Sequence, residues 1–564
     1  MRNWRLNFVL VIIILFGAAI ICRLVYLQII QAGYYGAMAK GQQKLFQPLQ
    51  GLRGNIFFKD NRILAADINE KYLFVCPDDV EDKKYTAEKL SEITGLEEKL
   101  IAKKLEKESM FERLKDDLTE EESQSLEDLN LPGVYVKDGV SRKYLQGSVA
   151  SQVVGFLGGE SAGQYGIEGF YDDILRGKIT FFERGDNSAE KESKGGDIYL
   201  TLDYNIQFVA EKLLEKAGSE LGVESGQIIV MDPNSGKIAV LANFPNFEPN
   251  NYAKVKDFQV FQNGAVQKLF EPGSIMKPLT IASAINEGKI SPNTSYVDAG
   301  KLKIGGYTIY NYDNRIWGKK TMTEVLEKSI NTGAVFAESQ LGSELFMEYL
   351  NNFGFFSPTG IGLQGEIYSE NKELKKGYEI NYATASFGQG IAITPIQMIR
   401  AFSIFANGGK IANPYIVEKI VGGTASNVSR SDAGGESERI QGVGPEISAK
   451  EIISPKTASQ VAAMLVSVVE DGYAKAARIP GYYLAGKTGT AQIPWSAIGV
   501  NKEGYSDETW QSFIGFGPAF NPKFIIFIKL DNPETKTAEY SAVPIFRELA
   551  KYIIDYWQIP PDYE

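Results

Sequence analysis

The chain is expected to be an α+β protein: an antiparallel sheet flanked by helices, preceded by a separate N-terminal domain and one transmembrane helix. Three features carry that expectation. A single charge-free apolar run lies near the start, a polar Gly-ended stretch precedes residue 197, and after it come a hairpin, a helical block, several strands and a terminal helix. The 564 residues leave room for three or four domains at about 150 residues each.

The apolar run is Leu6 to Cys22, LNFVLVIIILFGAAIIC, and about seventeen residues is the lower limit for a helix crossing a bilayer core. LVYLQII extends it to Ile30 past Arg23, whose stem can lie along lipid while its charge reaches the interface. Arg2 and Arg5 precede it, which favours a cytoplasmic N-terminus with the bulk of the chain extracytoplasmic. Residues 1–5 are then a cytoplasmic tail and 6–30 a single-pass anchor in the cytoplasmic membrane. Gly17-Ala18-Ala19 could serve as a signal-peptide cleavage site, but the apolar run continues well beyond it.

Residues 31–196 read as a separate extracytoplasmic domain. Short strand-like pieces (NIFFKDNRILAADI, YLFVC) alternate there with a charged helical tract, Tyr85 to Leu129. The polar stretch Asp186 to Asp197 is a linker, so the second domain runs over 197–564. In it, DIYLTLDYNIQFVAEKLLEKA gives strand, turn and amphipathic helix, and GQIIVMDPNSGKIAVLANFP a hairpin turning at Asp232 to Gly236. Helical patterns follow (LTIASAIN, TEVLEKSIN, TPIQMIRAFSIFAN, ASQVAAMLVSVVE). Strands then appear near YLAGKTGTAQI, WQSFIGFGP and KFIIFIKLD, before a last helix, SAVPIFRELAKYIIDYW. The Gly- and Ser-rich stretch Val421 to Gly444 reads as a surface loop.

Composition narrows the chemistry. The chain has no histidine, which removes Ser-His-Asp and Cys-His catalysis and imidazole metal sites together. Cys22 and Cys76 are its two cysteines, too few for a disulfide framework. A net charge of -11 makes nucleic acid a poor partner. A serine nucleophile without histidine needs another base, and a lysine of lowered pKa is the recognised substitute.

Ser274-Ile-Met-Lys277 supplies such a pair, since residues i and i+3 share a helix face about 5–6 Å apart. Glu271-Pro272-Gly273 turns the chain into a helix starting at Ser274, and Pro278 is tolerated in its first turn. The spacing alone is weak, because it recurs at Ser188-Lys191 and Ser369-Lys372, and an N-cap serine with a solvated lysine is the plainer interpretation. Two further groups raise its weight. Ser329-Ile-Asn331 sits at a joint between helical patterns, where a hydroxyl and an amide can enter a cleft. Lys487-Thr488-Gly489-Thr490 occurs once, within a strand pattern, and glycine in a strand often marks close backbone approach.

These three groups in this order form the active-serine set of penicillin-binding proteins and β-lactamases. The sequence resembles class B penicillin-binding proteins over nearly its whole length, through RLVYLQII, GLRGNIFFKDNRILA, GQYGIEGFYDDILRG, LTLDYNIQ, IVMDPNSGKIAVLANFP, FEPGSIMKP, FGFFSPTGIGLQGE, ASFGQGIAITPIQM and AGKTGTAQ. FEPGS looks more like the FtsI cell-division branch than the elongation branch. Asn263-Gly264 departs from the Asn-Arg common in relatives and puts one cleft contact in doubt, and Ser-Ile-Asn replaces the common Ser-Ser-Asn.

The resemblance implies the penicillin-binding transpeptidase fold, with residues 31–196 as an elongated N-terminal pedestal, a dimerisation-like domain, and a peptidoglycan D,D-transpeptidase working without metal or organic cofactor. Ser274 would attack the penultimate D-Ala carbonyl of a stem peptide while Lys277 takes its proton. Ser329 would relay a proton to the leaving D-Ala, and Asn331 would hold the substrate amide and orient Lys277. Lys487 would depress the pKa of Lys277, backbone N–H groups of Ser274 and Thr490 would form an oxyanion hole, and Thr488 and Thr490 would bind the terminal carboxylate. The Lys487-Thr488-Gly489-Thr490 strand would pair with the extended peptide. β-Lactams would acylate the same serine. Expected partners are an FtsW-like SEDS membrane glycosyltransferase and cell-division proteins. The alternatives are a D,D-carboxypeptidase or β-lactamase-like hydrolase, and a non-catalytic membrane scaffold or β-lactam sensor.

Overall fold

The computed structural model describes residues 52–109, 112–158, 161–176, 194–423, 440–442 and 450–563, together with positions 16, 17 and 20. The anchor expected over 6–30 and the linker around Ser188 lie outside the described residues, apart from those three helical or flanking positions and the linker's last four residues. No helix among the described residues is long and apolar enough to cross a membrane.

The C-terminal part is built on a five-stranded antiparallel sheet. Its strands are β1 (Ser225–Met231), β2 (Ile238–Phe244), β3 (Ala485–Pro494), β4 (Tyr505–Gly517) and β5 (Phe524–Asp531), in the order β3-β4-β5-β1-β2. β1 and β2 are the expected hairpin. The central strand β5, FIIFIKLD, lacks polar alternation because both of its faces are covered and seven of its eight residues are buried. Helices α1 (Tyr204–Leu221) and α6 (Ala542–Tyr556) cover one face. On the other lie α2 (Lys277–Asn286), α3 (Asn331–Leu341), α4 (Pro395–Ala406) and α5 (Pro455–Glu470), of which α4 and α5 touch the sheet directly. α2 is the innermost. All of its residues from Lys277 to Ile285 are buried, as suits KPLTIASAI, a sequence apolar on nearly every side.

The N-terminal part hangs on one long strand, Ile63–Val75, paired from Ala65 to Val75 with Val134–Tyr144 and with Glu112–Lys115 at its far end. This strand fuses two pieces that the sequence suggested were separate. Its middle is exposed and its ends are buried in two different cores: Leu64 and Ala65 belong to the main core, Leu73 and Val75 to a small one with Leu90, Ile101 and Leu126. The charged tract holds three helices, Lys83–Thr94, Glu98–Leu105 and Glu120–Leu129, but a strand interrupts it. That strand, ERLK, has one apolar residue and takes its conformation from its partner.

The two parts share a sheet. Asp197–Leu200 pairs in parallel with Ile56–Phe57 and antiparallel with Val417–Val421. Val421 in turn faces Ile440 on a short strand, Ile440–Gly442, so the ends of the stretch read as a loop are a β-pair; residues 424–439 and 443–449 lie outside the described residues. Below the sheet, Arg53 Nε and Arg142 Nε each donate to the buried Glu168 carboxylate at 2.7 Å, Arg53 also pairs with Asp172 at 2.7 Å, and Arg142 with Asp67 at 3.2 Å. These charges tie GLRGN to GQYGIEGFYDD.

Candidate active site

Ser274 is placed by backbone contacts. Phe270 and Ile393 exchange two hydrogen bonds, 2.9 and 3.0 Å, and Gly273 N donates to Gly388 O at 2.9 Å. A methyl group on Gly388 would lie 2.2 Å from Gly273 O, so the two chains meet backbone to backbone, with φ of +83° at Gly388 and +58° at Gly273. The segment ASFGQGIAITP is thus a cradle for the nucleophile turn. The sequence carried it only as part of a resemblance, and its paired glycines were the available signal.

The expected helix start at Ser274 is a 3-10 turn, Gly273–Met276, and the α-helix begins at Lys277 with Pro278 in its first turn. Ser274 is half-buried, and its hydroxyl has no hydrogen bond among the described residues. Lys277 Nζ turns to Ser329 instead, donating to its carbonyl at 2.6 Å and lying 3.2 Å from its hydroxyl. Ser329 sits between the helix Met322–Glu327 and α3 with φ +54°, a left-handed conformation rare for a side chain with Cβ. That bend aims both its oxygens at Lys277. From the other side, Lys487 Nζ donates to Ser329 Oγ at 3.0 Å and to Thr488 O at 3.1 Å. One hydroxyl therefore receives both lysines.

Burial, and second the charge of Lys487, hold the Lys277 amine well below its ordinary value. The expected cause, Lys487, is the smaller of the two. Burial alone brings Lys487 down to about 7. A neutral Lys277 has two N–H bonds, both directed at Ser329, and a lone pair left over to accept a proton.

Asn331 opens α3, but its amide donates to Tyr310 O at 2.9 Å and makes no bond to Lys277. Ser329, not Asn331, orients the lysine, and Asn331 fastens the hairpin Lys301–Tyr310 beside the cleft. Thr488 and Thr490 lie two apart and share one side of β3, the edge strand. Thr490 Oγ1 accepts from Ala538 N at 3.3 Å, which leaves its own proton free to donate. Gly489 is packed close: a methyl there would lie 2.4 Å from Ser512 Oγ and 3.0 Å from Pro272 O, beside the nucleophile turn. The doubtful Gly264 is not in the cleft. A side chain there would run into the Gln227 amide on β1, 2.6 Å away, and Asn263 caps the short helix that follows.

Known proteins resemble this chain in both of its parts. Residues 226–551 match the family model described as the penicillin-binding protein transpeptidase domain, and residues 48–196 that of the penicillin-binding protein dimerisation domain. Stage V sporulation protein D of Bacillus subtilis is 30% identical over 548 residues, spanning 94% of this chain and 82% of that protein. Peptidoglycan D,D-transpeptidase FtsI of Buchnera aphidicola is 28% identical, spanning 99% and 96%. Among solved structures, penicillin-binding protein 3 of Mycobacterium tuberculosis, determined with aztreonam, superposes with a TM-score of 0.67 at 25% identity, covering 91% of this chain and 97% of that one.

Proposed function

The chain belongs to the class B penicillin-binding proteins, and from that premise we propose how this site carries out D,D-transpeptidation of peptidoglycan stem peptides. Ser274 Oγ attacks the penultimate D-Ala carbonyl as its proton passes to neutral Lys277. The acyl–oxygen bond forms, the peptide bond breaks, and the terminal D-Ala leaves with a proton returned through Ser329. An amine from a neighbouring stem then displaces Ser274 and closes the cross-link. N–H groups of Ser274 and Thr490 face the developing oxyanion, where losing one donor typically costs about 2.7–4 kcal/mol. Thr488 and Thr490 take the terminal carboxylate, and Gly489 lets the strand run close to the nucleophile turn. The observation that carries this reading is the single hydroxyl of Ser329 receiving two buried lysines beside an unbonded serine.

Intact-mass analysis and peptide mapping after incubation with a penicillin test it. The wild type is expected to hold a stable adduct on Ser274, and Ser274→Ala none while keeping its fold. Labelling of that variant at the wild-type rate would overturn the nucleophile assignment. Rapid loss of adduct with drug consumption would favour the hydrolase.

The cellular setting is proposed on sequence grounds. FEPGS and the likeness to FtsI support a septal role, and Leu6 to Ile30 supports a membrane anchor with the body outside. Domain limits at 196/197, an FtsW-like glycosyltransferase partner and division-protein partners belong to the same proposal. Co-purification from membranes, repeated with 6–30 exchanged for an unrelated span, tests the partner and the part the span plays.

A further inference from the structure

A polar cavity of about 250 Å³ opens where the N-terminal part meets α4. Arg400 of α4 and Asn413 of the following loop line it, with Tyr171 reaching in from the N-terminal side. Its chemistry is unfinished. The guanidinium of Arg400 forms no ion pair or hydrogen bond among the described residues, and its Nε is wholly out of solvent without a partner. Asn413 Oδ1 is likewise buried and unbonded. The carboxylate nearest in effect, Glu366, accepts instead from Thr359 N, Thr359 Oγ1 and Gly360 N at 2.6, 2.6 and 3.0 Å.

Room has been made for this charge. Gly354, with φ +81°, is backed so closely by the guanidinium that a methyl there would lie 2.6 Å from Nη1. Gln397 on α4 pins that loop by donating to the carbonyls of Gly354, Phe355 and Ser357. Arg400 as a whole is half-buried; an unbonded Nε sealed from water costs stability, while the terminal nitrogens stay open to a partner. Guanidinium matches carboxylate through paired N–H donors, and an amide oxygen takes an N–H or O–H donor.

We propose that this cavity binds a small carboxylate bearing an N–H donor on the adjacent carbon, the carboxylate on Arg400 and the donor on Asn413. That chemistry is shared by a free amino acid and by the C-terminal residue of a peptide. An occupant would touch Tyr171 and α4 together, and so both parts of the chain.

The test is a binding titration of the full-length protein by calorimetry or ligand-observed NMR, with the Ser274 cleft first acylated by a penicillin. The acylation rests on the proposed function; if no adduct forms, that reading fails, and the same titration on untreated protein still judges the cavity through its variants. The probes are D-alanine, N-acetyl-D-alanine as a peptide terminus, propionate and alaninamide. Saturable binding of D-alanine or N-acetyl-D-alanine is expected, weaker for propionate and absent for alaninamide. Preference between the first two distinguishes free amino acid from peptide end. Arg400→Met should weaken binding at least tenfold while keeping or raising the unfolding midpoint. Asn413→Ala should reduce the better probe to the level of propionate. No saturable binding by either carboxylate with a donor, or equal binding to the Arg400→Met protein, overturns the proposal. So does a large fall in the unfolding midpoint of that variant, since the guanidinium would then be serving the fold.

Discussion

Lys277 works as a base only while neutral, so its protonation sets the acid limb of acylation. Its amine is held low by burial and then by Lys487, so the neutral, active form persists to lower pH than in a free lysine and is lost as pH falls through its lowered pKa. Lys487→Gln removes a neighbouring positive charge, which raises the Lys277 pKa. The acid limb of penicillin acylation should therefore move to higher pH, a shift read directly from rate against pH; an unmoved limb would mean that burial acts alone. Lys277→Met should cost about 10²–10⁴ in acylation rate, the usual contribution of a general base, measured with a fluorescent penicillin. Most of these residues were legible in the sequence because their side-chain types and spacing are the signal. The carbonyl of Ser329 was not, since a main-chain acceptor leaves no mark on residue identity, and neither was the turning of Asn331 toward Tyr310.

Elements with strong patterns were equally readable: the hairpin β1–β2, the edge strand β3 and the terminal helix α6 fall where alternation and helical spacing put them. Those missed owe their shape to partners. ERLK is a strand because Leu73, Phe74 and Val75 pair with it, and Val421 pairs with Ile440 across residues whose Gly and Ser content signals a loop. The cradle around Ser274 is also a tertiary feature, two glycine-bearing segments 115 residues apart in contact from Gly273 to Gly388. Gly388→Ala would place a methyl 2.2 Å from a carbonyl and 2.5 Å from an amide nitrogen of Gly273, at a φ that L-residues avoid. Neither neighbour is a flexible side chain, so the nucleophile turn must shift. Acylation should fall by at least about tenfold, since small misplacements of reacting groups are costly, while far-ultraviolet circular dichroism stays unchanged. Normal acylation would mean that the turn does not depend on this contact.

At the scale of the whole molecule, the shared sheet and the charge cluster beneath it decide how firmly the two parts are joined. Glu168 is fully buried and accepts from Arg53, Arg142 and, at 3.3 Å, the Tyr144 hydroxyl, so it neutralises two guanidinium groups drawn from two separate stretches of chain. Arg142 Nη2 already lacks a partner, which leaves the cluster no spare acceptor. Glu168→Gln keeps the shape but removes the charge; stranding a buried ion typically costs about 3–5 kcal/mol, and the cost here should fall below that because Arg53 keeps Asp172 and Arg142 keeps Asp67. Guanidinium would screen such a pair, so urea denaturation at low salt is the measurement, with a lowered midpoint expected. The active site shares no residue with this cluster, and well below the transition penicillin acylation should run at the wild-type rate. A midpoint within the usual scatter of surface substitutions, about 0.5 kcal/mol, would mean that water replaces the missing charge and that the sheet of Ile56–Phe57, Asp197–Leu200 and Val417–Val421 alone holds the parts together. A lowered midpoint accompanied by slowed acylation far below the transition would show instead that strain at the junction reaches Ser274.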